Sequence, residues 1–300
     1  TNSTTIDVYN VGVGYNAGYS ITTGISNTLL GGLAGDALTD ADSNIAIGVN
    51  ALTTETLGSR NVAVGQDALA TQNFTTATNV NNIGVGYQAG TAITTGINNT
   101  HIGANAGDNG TTGDDNVSMG HLALRTMTAG NRNVAIGRSA MQLANTTTDT
   151  DTYNVAVGAL AGLSMTSGNE NTLVGGLAGD SIQTGVENVC LGYNADVSGT
   201  ATAREIVIGQ GAGAGSNSVR FVTSGGSLSA AIDGSTSTWT AASDERLKKD
   251  IADSTVGLSF INALRPVTFK WNAKDAIADS LPQYDADSSD PVYGVGKAHH

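Results

Sequence analysis

The segment NVAVGQDAL at residues 61–69 recurs almost unchanged as NVAIGRSAM at residues 133–141. When all related segments are aligned on their first residue, twelve units appear, and they start at residues 10, 27, 44, 61, 82, 99, 116, 133, 154, 171, 188 and 205. Successive units are offset by seventeen positions, except at two steps of twenty-one positions. Four units therefore make a longer period, called the four-unit period, of seventy-two positions. A repeat of this length is typical of a solenoid, in which each unit packs on its neighbours.

The positions of the unit, numbered from its first residue, differ sharply in composition. Position 1 is Asn in eleven units and Glu205 in the last, position 5 is Gly in all twelve, and position 8 is Ala in all twelve. Positions 2 and 4 carry β-branched or long aliphatic side chains, as at Val155 and Val157. Position 3 is mostly small or apolar, as at Ala63 and Cys190. Such identity within one chain indicates a geometric repeat.

These positions predict a short β-strand followed by a corner. Positions 2 and 4 lie on one face of the strand and position 3 points to the other, so we expect both faces to be buried. Glycine at position 5 permits a tight or left-handed corner, and a second glycine, located three positions before the Asn of seven units, marks the opposite corner. We therefore expect each unit to be a flattened coil of two short strands and two turns, with Asn side chains hydrogen-bonded from coil to coil.

The fold class that follows is all-β, a parallel β-solenoid of twelve coils of about 17 residues. A helical array is disfavoured because the 3.6-residue period is missing and the glycine corners would break helices. Twelve coils stacked at about 4.8 Å per coil would span about 58 Å.

Composition excludes several protein classes. The 300 residues include 40 Gly but only 3 Pro, without a Gly-X-Y period, which excludes collagen. The formal net charge of −13 argues against binding to nucleic acid or to anionic membranes. No stretch approaches the roughly 18 apolar residues of a membrane span. The single Cys190 excludes an internal disulfide, and the Thr at residue 1 leads us to expect a fragment or a processed chain.

Charge and proline content change together near residue 243. Residues 1–242 contain no Lys and no Pro, with six Arg against 17 acidic residues, whereas residues 243–300 contain all five Lys and all three Pro. Residues 214–242 alternate polar and apolar residues and indicate short strands that close the solenoid. The expected organisation is thus a repetitive shaft at 1–213, a β connector at 214–242 and a separate C-terminal segment at 243–300.

The repeats resemble the head repeats of trimeric autotransporter adhesins and related phage tail-fibre shafts. The resemblance rests on the NVAVG and NVAIG units and covers about residues 6–213. It implies a homotrimer of left-handed parallel β-rolls, in which one strand face fills the coil and the other meets neighbouring chains.

The C-terminal segment carries a second resemblance. SDERLKKDI at residues 243–251, followed by GLSFINALRPVTFKW at 257–271, resembles the opening of the endosialidase-type intramolecular chaperone, a small α+β domain that trimerises phage fibres and then cuts itself off. By this resemblance the nucleophile is Ser243 and the base is Lys248, with Asp244 and Arg246 supporting them, and the cleaved bond precedes Ser243. The family's continuation is not recognisable in VGKAHH at 295–300, so we expect an incomplete domain.

A lysine can serve as the base of such a reaction if burial or a neighbouring cation lowers its pKa. We expect no turnover enzyme, only one self-cleavage per chain.

At the two longer steps between units, the chain carries four extra residues. These insertions lie within residues 71–79 and 143–151. Because they lie four coils apart, they are expected on one side of the solenoid, about 19 Å from each other. Loops on solenoids commonly carry binding. Phe74 is expected to be an exposed aromatic residue and is, with Asn73 and Thr75, the candidate receptor contact. A spacer role without a ligand is the alternative.

Other motifs favour structural roles. The Gly-X-Gly pairs recur in successive coils without a crossover helix, which argues against nucleotide binding. The segment at 31–36 and its copy at 175–180 lack the spacing of calcium-binding repeats, so we expect ordinary corners. His101 and His121 fall in different positions of neighbouring coils and predict packing or surface roles. We therefore expect no metal and no cofactor.

Together these features predict a structural and host-recognition fibre, the distal part of a phage tail fibre located in the extracellular virion tail. The expected partners are two further copies of the chain and a host cell-surface receptor or polysaccharide, without nucleic acid and without membrane insertion. The alternatives are a trimeric adhesin on a bacterial surface and a polysaccharide-degrading tailspike, which would need paired carboxylates in a groove.

Overall fold

A computed structural model of the chain describes residues 8–232, 240–241, 272–276 and 285–289. The described residues form β-strands and turns, apart from one short 3-10 helix at Lys274–Ala276. Contacts between Cα atoms divide the chain into two units, Thr1–Ser243 and Asp244–His300. The all-β solenoid predicted from the repeat is confirmed.

Each of the first eleven coils contributes a three-residue strand to one long sheet, and the twelfth contributes a longer strand. These twelve strands are β1 (Val11–Val13), β2 (Thr28–Leu30), β3 (Ile45–Ile47), β5 (Val62–Val64), β7 (Ile83–Val85), β8 (Thr100–Ile102), β9 (Val117–Met119), β11 (Val134–Ile136), β13 (Val155–Val157), β14 (Thr172–Val174), β15 (Val189–Leu191) and β17 (Glu205–Gly209). Neighbouring strands pair in parallel without offset, so position 2 of one coil lies beside position 2 of the next, as in Val62 beside Ile83.

The second strand that was expected in every coil is present in only six of the twelve described coils. The other coils make turns or isolated bridges there, and the short second strands form three pairs in the described solenoid. These pairs are β4 (Gly58–Ser59) with β6 (Thr78–Asn79), β10 (Gly130–Asn131) with β12 (Thr150–Asp151), and β16 (Ala195–Asp196) with β18 (Gly211–Ala212). The turns still hydrogen-bond from coil to coil through the backbone, as between Thr39 N–H and Thr56 C=O at 3.0 Å, so a ladder persists without strand geometry.

The asparagines of position 1, called the asparagine row, form the predicted ladder. The Oδ1 atom of each Asn accepts a hydrogen bond from the backbone N–H of position 1 in the next coil, as from Asn44 to Asn27 at 2.9 Å. The ladder runs without a break to Glu205, whose N–H donates to Asn188. In nine coils the Nδ2 atom also donates to a backbone carbonyl of its own coil, at the opposite corner. This pairing satisfies amides that would be costly to bury alone.

The two strand faces have different surroundings. Position 3, called the core row, is buried in every coil from the second onward and fills the coil interior. Positions 2 and 4, called the outward rows, are half-buried or exposed in the first eleven coils. The small or apolar residues of the core row therefore make the interior, and the larger aliphatic residues face outward.

The glycines of position 5, called the glycine row, meet a strict requirement. All twelve have positive φ, and a Cβ built on Gly65 would lie 2.3 Å from the carbonyl oxygen of Gly86 in the next coil. Only glycine permits this approach, so the predicted corner is confirmed.

The four-unit period reflects how the core is filled. In coils 2, 6 and 10 the core row carries a large side chain, and position 9 is Gly because a Cβ there would lie within 2.9 Å of that side chain. These pairs are Leu29 with Gly35, His101 with Gly107, and Leu173 with Gly179. In coils 3, 4, 7 and 8 the core row is Ala or Ser, and position 9 supplies Leu or Met instead.

After the twelfth coil the sheet continues and changes direction. β19 (Ser218–Thr223) pairs in parallel with β17, whereas β20 (Gly226–Ala231) and β21 (Thr240–Ala241) pair antiparallel. The short strands expected after the shaft are thus present, although residues 233–239 lie outside the described part. In the second unit the 3-10 helix joins a turn through Asp275 N–H, which donates to Ser288 C=O at 3.1 Å.

Candidate functional site: the insertion loops and the outward rows

The residues predicted for self-cleavage lie outside the described part of the chain. They are Ser243, Asp244, Arg246 and Lys248, together with the bond that precedes Ser243. The structure does describe the two insertion loops and the outward rows of the solenoid.

The first insertion, residues 71–79, is fixed to the coil at both ends. Its last two residues form β6, which pairs with β4 of the preceding coil. Near its start, Thr71 Oγ1 donates to Thr91 C=O at 2.7 Å, and Asn73 N–H donates to Thr94 C=O at 3.1 Å. The loop is therefore part of the coil stack at its ends.

Phe74 differs from its expected exposure. The residue is half-buried, and its backbone is held by Glu55 Oε1, which accepts from Phe74 N–H at 3.0 Å, and by Leu57 N–H, which donates to Phe74 C=O at 3.2 Å. Asn73 and Thr75 on either side are exposed. Apart from Ala77, the exposed side chains of this loop carry amide or hydroxyl groups.

Glu55 anchors the loop, although it is not among the residues predicted from the sequence. It is fully buried, and its Oε1 atom accepts from the backbone N–H groups of Thr56, Leu57, Gly58 and Phe74 at 2.7–3.1 Å. Its Oε2 atom accepts from Gln72 Nε2 at 2.8 Å. The available signal was its place in the coil, because the preceding two coils carry isoleucine and leucine at the corresponding position. A lone acid in an apolar position implies a dedicated set of donors.

The second insertion, residues 143–151, has different chemistry. Asn131 Nδ2 donates to Asp149 at 2.7 Å, and Arg132 forms an ion pair with Asp151. Arg132 also lies over the ring of Tyr153, 5.6 Å from its centroid. The two insertions thus share a place in the four-unit period but differ in charge, which argues against one common ligand.

The outward rows make an apolar strip along all twelve coils. Val11, Val13, Leu30 and Val174 are 40–56% exposed in the single chain. Position 2 is Val or Ile in nine coils and Thr in the other three, and position 4 is aliphatic or Met throughout. Contiguous apolar surfaces of this extent mark interaction sites in soluble proteins.

Two other predicted structural residues lie in the core. His101 is 3% exposed with Nδ1 2.7 Å from Ser118 Oγ, and burial lowers its pKa from 6.5 to about 4. Cys190 is fully buried, and burial raises the pKa of its thiol to about 12. His121 is exposed. The packing and surface roles predicted for these residues are confirmed.

The segments that faintly resembled calcium-binding repeats are corners. Asp36 accepts a hydrogen bond from Thr53 Oγ1 at 2.6 Å, and burial and the neighbouring Asp196 raise the pKa of Asp180. In the described ranges, no group of three or more His, Cys, Asp or Glu side chains is arranged to hold a metal ion.

No helix within the described residues is both long and apolar enough to cross a membrane.

Residues 243–293 match the family model described as Chaperone of endosialidase, so the chain carries a C-terminal segment of that type. No curated protein and no solved structure significantly matches the chain. The comparisons therefore bear on the C-terminal segment, and the solenoid is described by its own repeat.

Proposed function

We propose that the chain is the distal part of a phage tail fibre, a homotrimeric shaft whose C-terminal segment directs assembly and then cuts itself off. The observation that supports this proposal is the succession, in one chain, of a twelve-coil β-solenoid, the strands β19 to β21 and a chaperone-of-endosialidase segment at residues 243–293. The fibre would lie in the extracellular part of the virion, where a long acidic particle remains soluble.

The homotrimer is supported by the outward rows. Most coils present two aliphatic side chains, at positions 2 and 4, on the strand face that points away from the core. Burial of apolar surface is worth roughly 25 cal/mol per Å². Three identical strips that face a common axis would remove this surface from water along the whole shaft. Two further copies of the chain are therefore the partners that fit the outward rows.

The chaperone role follows from the repeat itself. The outward rows of adjacent coils are similar, so a chain displaced by one coil still pairs many similar side chains. A trimeric domain at one end would align the three chains before the coils zip together. Once the shaft has formed, its ladders would give it a high barrier to unfolding, so loss of that domain costs little kinetic stability.

The proposed cleavage assigns one step to each residue. Lys248 takes the proton of Ser243 Oγ, which attacks the carbonyl carbon of Ala242, and the bond from that carbon to the Ser243 nitrogen breaks. The nitrogen leaves as an amine after it receives the proton. Water then hydrolyses the resulting ester, which gives a carboxylate on Ala242 and restores the Ser243 hydroxyl. Asp244 and Arg246 are the supporting charges.

Receptor contact is proposed for the first insertion, at Asn73 and Thr75, with Phe74 as their neighbour. Exposed amide and hydroxyl groups can hydrogen-bond with the hydroxyl groups of surface polysaccharides. We expect Asn73→Ala with Thr75→Ala to reduce binding on an array of bacterial surface polysaccharides, with Thr147→Ala in the other insertion as the control. Equal binding by the parent, the double variant and the control would refute the contact.

The assembly proposal is tested with three substitutions and a truncation. Ser243→Ala and Lys248→Ala should each leave an uncut chain that still forms trimers, whereas Ser254→Ala should be cut like the parent. A chain of residues 1–242 should form few soluble trimers. If that truncated chain assembles as efficiently as the complete chain, the chaperone role is wrong.

A further inference from the structure

Three threonines interrupt the otherwise apolar position 2 of the outward rows. They are Thr28, Thr100 and Thr172, which begin β2, β8 and β14 and recur once in each four-unit period. Position 2 is Val or Ile in each of the other nine coils. Four coils, or about 19 Å, therefore separate successive threonines along the strip.

Coil packing does not account for these threonines. Their side chains belong to the outward rows, on the face opposite the large core-row residues Leu29, His101 and Leu173. Within the described residues, the three hydroxyls make no hydrogen bond, although many threonines in the turns donate to the next coil, as Thr39 does to Thr56 C=O. A hydroxyl on a face that becomes buried needs a partner from elsewhere.

We propose that Thr28, Thr100 and Thr172 form three polar layers that fix the register of three chain copies along the shaft. The inference rests on the proposed homotrimer and adds the residues that specify its alignment. When three copies are aligned, the three hydroxyls of one layer meet at the axis. Each hydroxyl donates to one neighbour and accepts from the other, so the ring closes without an unused donor.

The spacing makes the layers selective. A shift by one, two or three coils places every threonine against Val or Ile and leaves buried hydroxyls without partners. A shift by four coils restores two of the three layers. However, the outward rows of the last four coils of the displaced chain then have no neighbouring chain to contact. A single buried polar position fixes register in coiled coils by the same logic, at some cost in stability.

A disulfide measures the register directly. We place Val62→Cys on the outward rows, together with Cys190→Ala, in the full chain. A disulfide needs Cβ atoms about 3.5–4.5 Å apart, so a shift of one coil, about 4.8 Å, prevents it. Aligned trimers should link two of their three chains after mild oxidation.

The test compares Thr→Val at all three positions with Thr→Ser at the same positions, after refolding from guanidinium. We expect the linked fraction to fall at least threefold in the valine variant and to stay near the parent value in the serine variant, which keeps the hydroxyls. An unchanged linked fraction in valine-variant trimers would overturn the register role. Native mass separates the two claims, because monomers in the parent would contradict the homotrimer itself.

Discussion

His101 lies in the core row, where equivalent coils carry Leu29 and Leu173. Its imidazole is buried among apolar residues and glycines, with Ser118 as its hydrogen-bond partner. Burial favours the neutral ring because no solvent stabilises the charged form. The stability of this coil's packing therefore depends on pH.

The first prediction concerns acid stability. Because burial lowers the pKa of His101 from 6.5 to about 4, the unfolded chain binds a proton over this range and the folded chain does not. The free energy of unfolding should thus fall by about 3 kcal/mol per chain as the pH drops from above 6.5 to 4. His101→Leu should remove this part of the loss, measured by urea unfolding at pH 7.5 and pH 4.5. His121→Gln is the control, and an equal acid loss in parent and His101→Leu would contradict the prediction.

Glu55 gives a second prediction at the same scale. Four coils further along the chain, beside the other insertion, Met127 and Ala144 stand in the places of Glu55 and Gln72. Glu55→Met should cost about 3 kcal/mol, because four backbone N–H groups lose their acceptor. The double change to Met and Ala should cost at least about 1 kcal/mol less than the sum of the single changes, since the Glu55–Gln72 bond is counted twice. Thermal unfolding of the four proteins measures this, and strict additivity would show that the two side chains act independently.

At the scale of the coil, the third prediction follows from the way the core is filled, with the large side chain at position 3 in some coils and at position 9 in others. Gly35→Leu should cost about 2–3 kcal/mol, because its Cβ would lie 2.7 Å from Leu38 and 2.9 Å from Leu29. Positive φ alone does not explain this cost, since Leu52 adopts φ 55° at the same position of the next coil.

Adding Leu29→Ala to Gly35→Leu recreates the arrangement of that next coil, Ala46 with Leu52. We expect the double variant to recover at least half of the lost stability in urea unfolding. If the double variant is less stable than Gly35→Leu alone, a large side chain at position 9 cannot replace the volume of a large side chain at position 3.

The strand, the glycine corner and the asparagine row could be predicted from the sequence, because each depends on one residue type at one position. The prediction of a second strand in every coil was wrong. Turns that hydrogen-bond to the next coil through their backbone need no particular side-chain period, so the sequence does not distinguish such turns from short strands. No sequence pattern indicated the left-handed residues just before the asparagine row, where Arg60, Asp115 and Glu187 have φ of 57–66°. Neighbouring coils hold these non-glycine residues in the left-handed conformation, which the residues do not favour on their own.

The orientation of the strand and the anchoring of the first loop needed the structure. Positions 2, 3 and 4 are all largely apolar, so the pattern predicted two buried faces but not which one fills the coil. The half-buried state of Phe74 depends on Glu55, a residue of the preceding coil that no local pattern connects to it. The C-terminal site rests on motif resemblance, and its residues lie outside the described part.

At the scale of the whole molecule, the features fit one assembly. The coil cores are filled within each chain, the outward rows remain apolar along the shaft, and the family match at 243–293 begins directly after the solenoid and its connector. A formal net charge of −13 is repulsive between copies, so the outward rows would have to outweigh that repulsion on assembly. Added salt screens the repulsion and should therefore favour assembly when the protein is dilute.

Native and denaturing mass measurements on the full chain test the central claim most directly. The account predicts a native particle of three chains, each 30.1 kDa if uncut, or three copies of residues 1–242 if the bond before Ser243 is cleaved. The denatured mass distinguishes these two cases, and Ser243→Ala should give only the uncut trimer. A monomer under native conditions, with the outward rows left in water, would contradict the account.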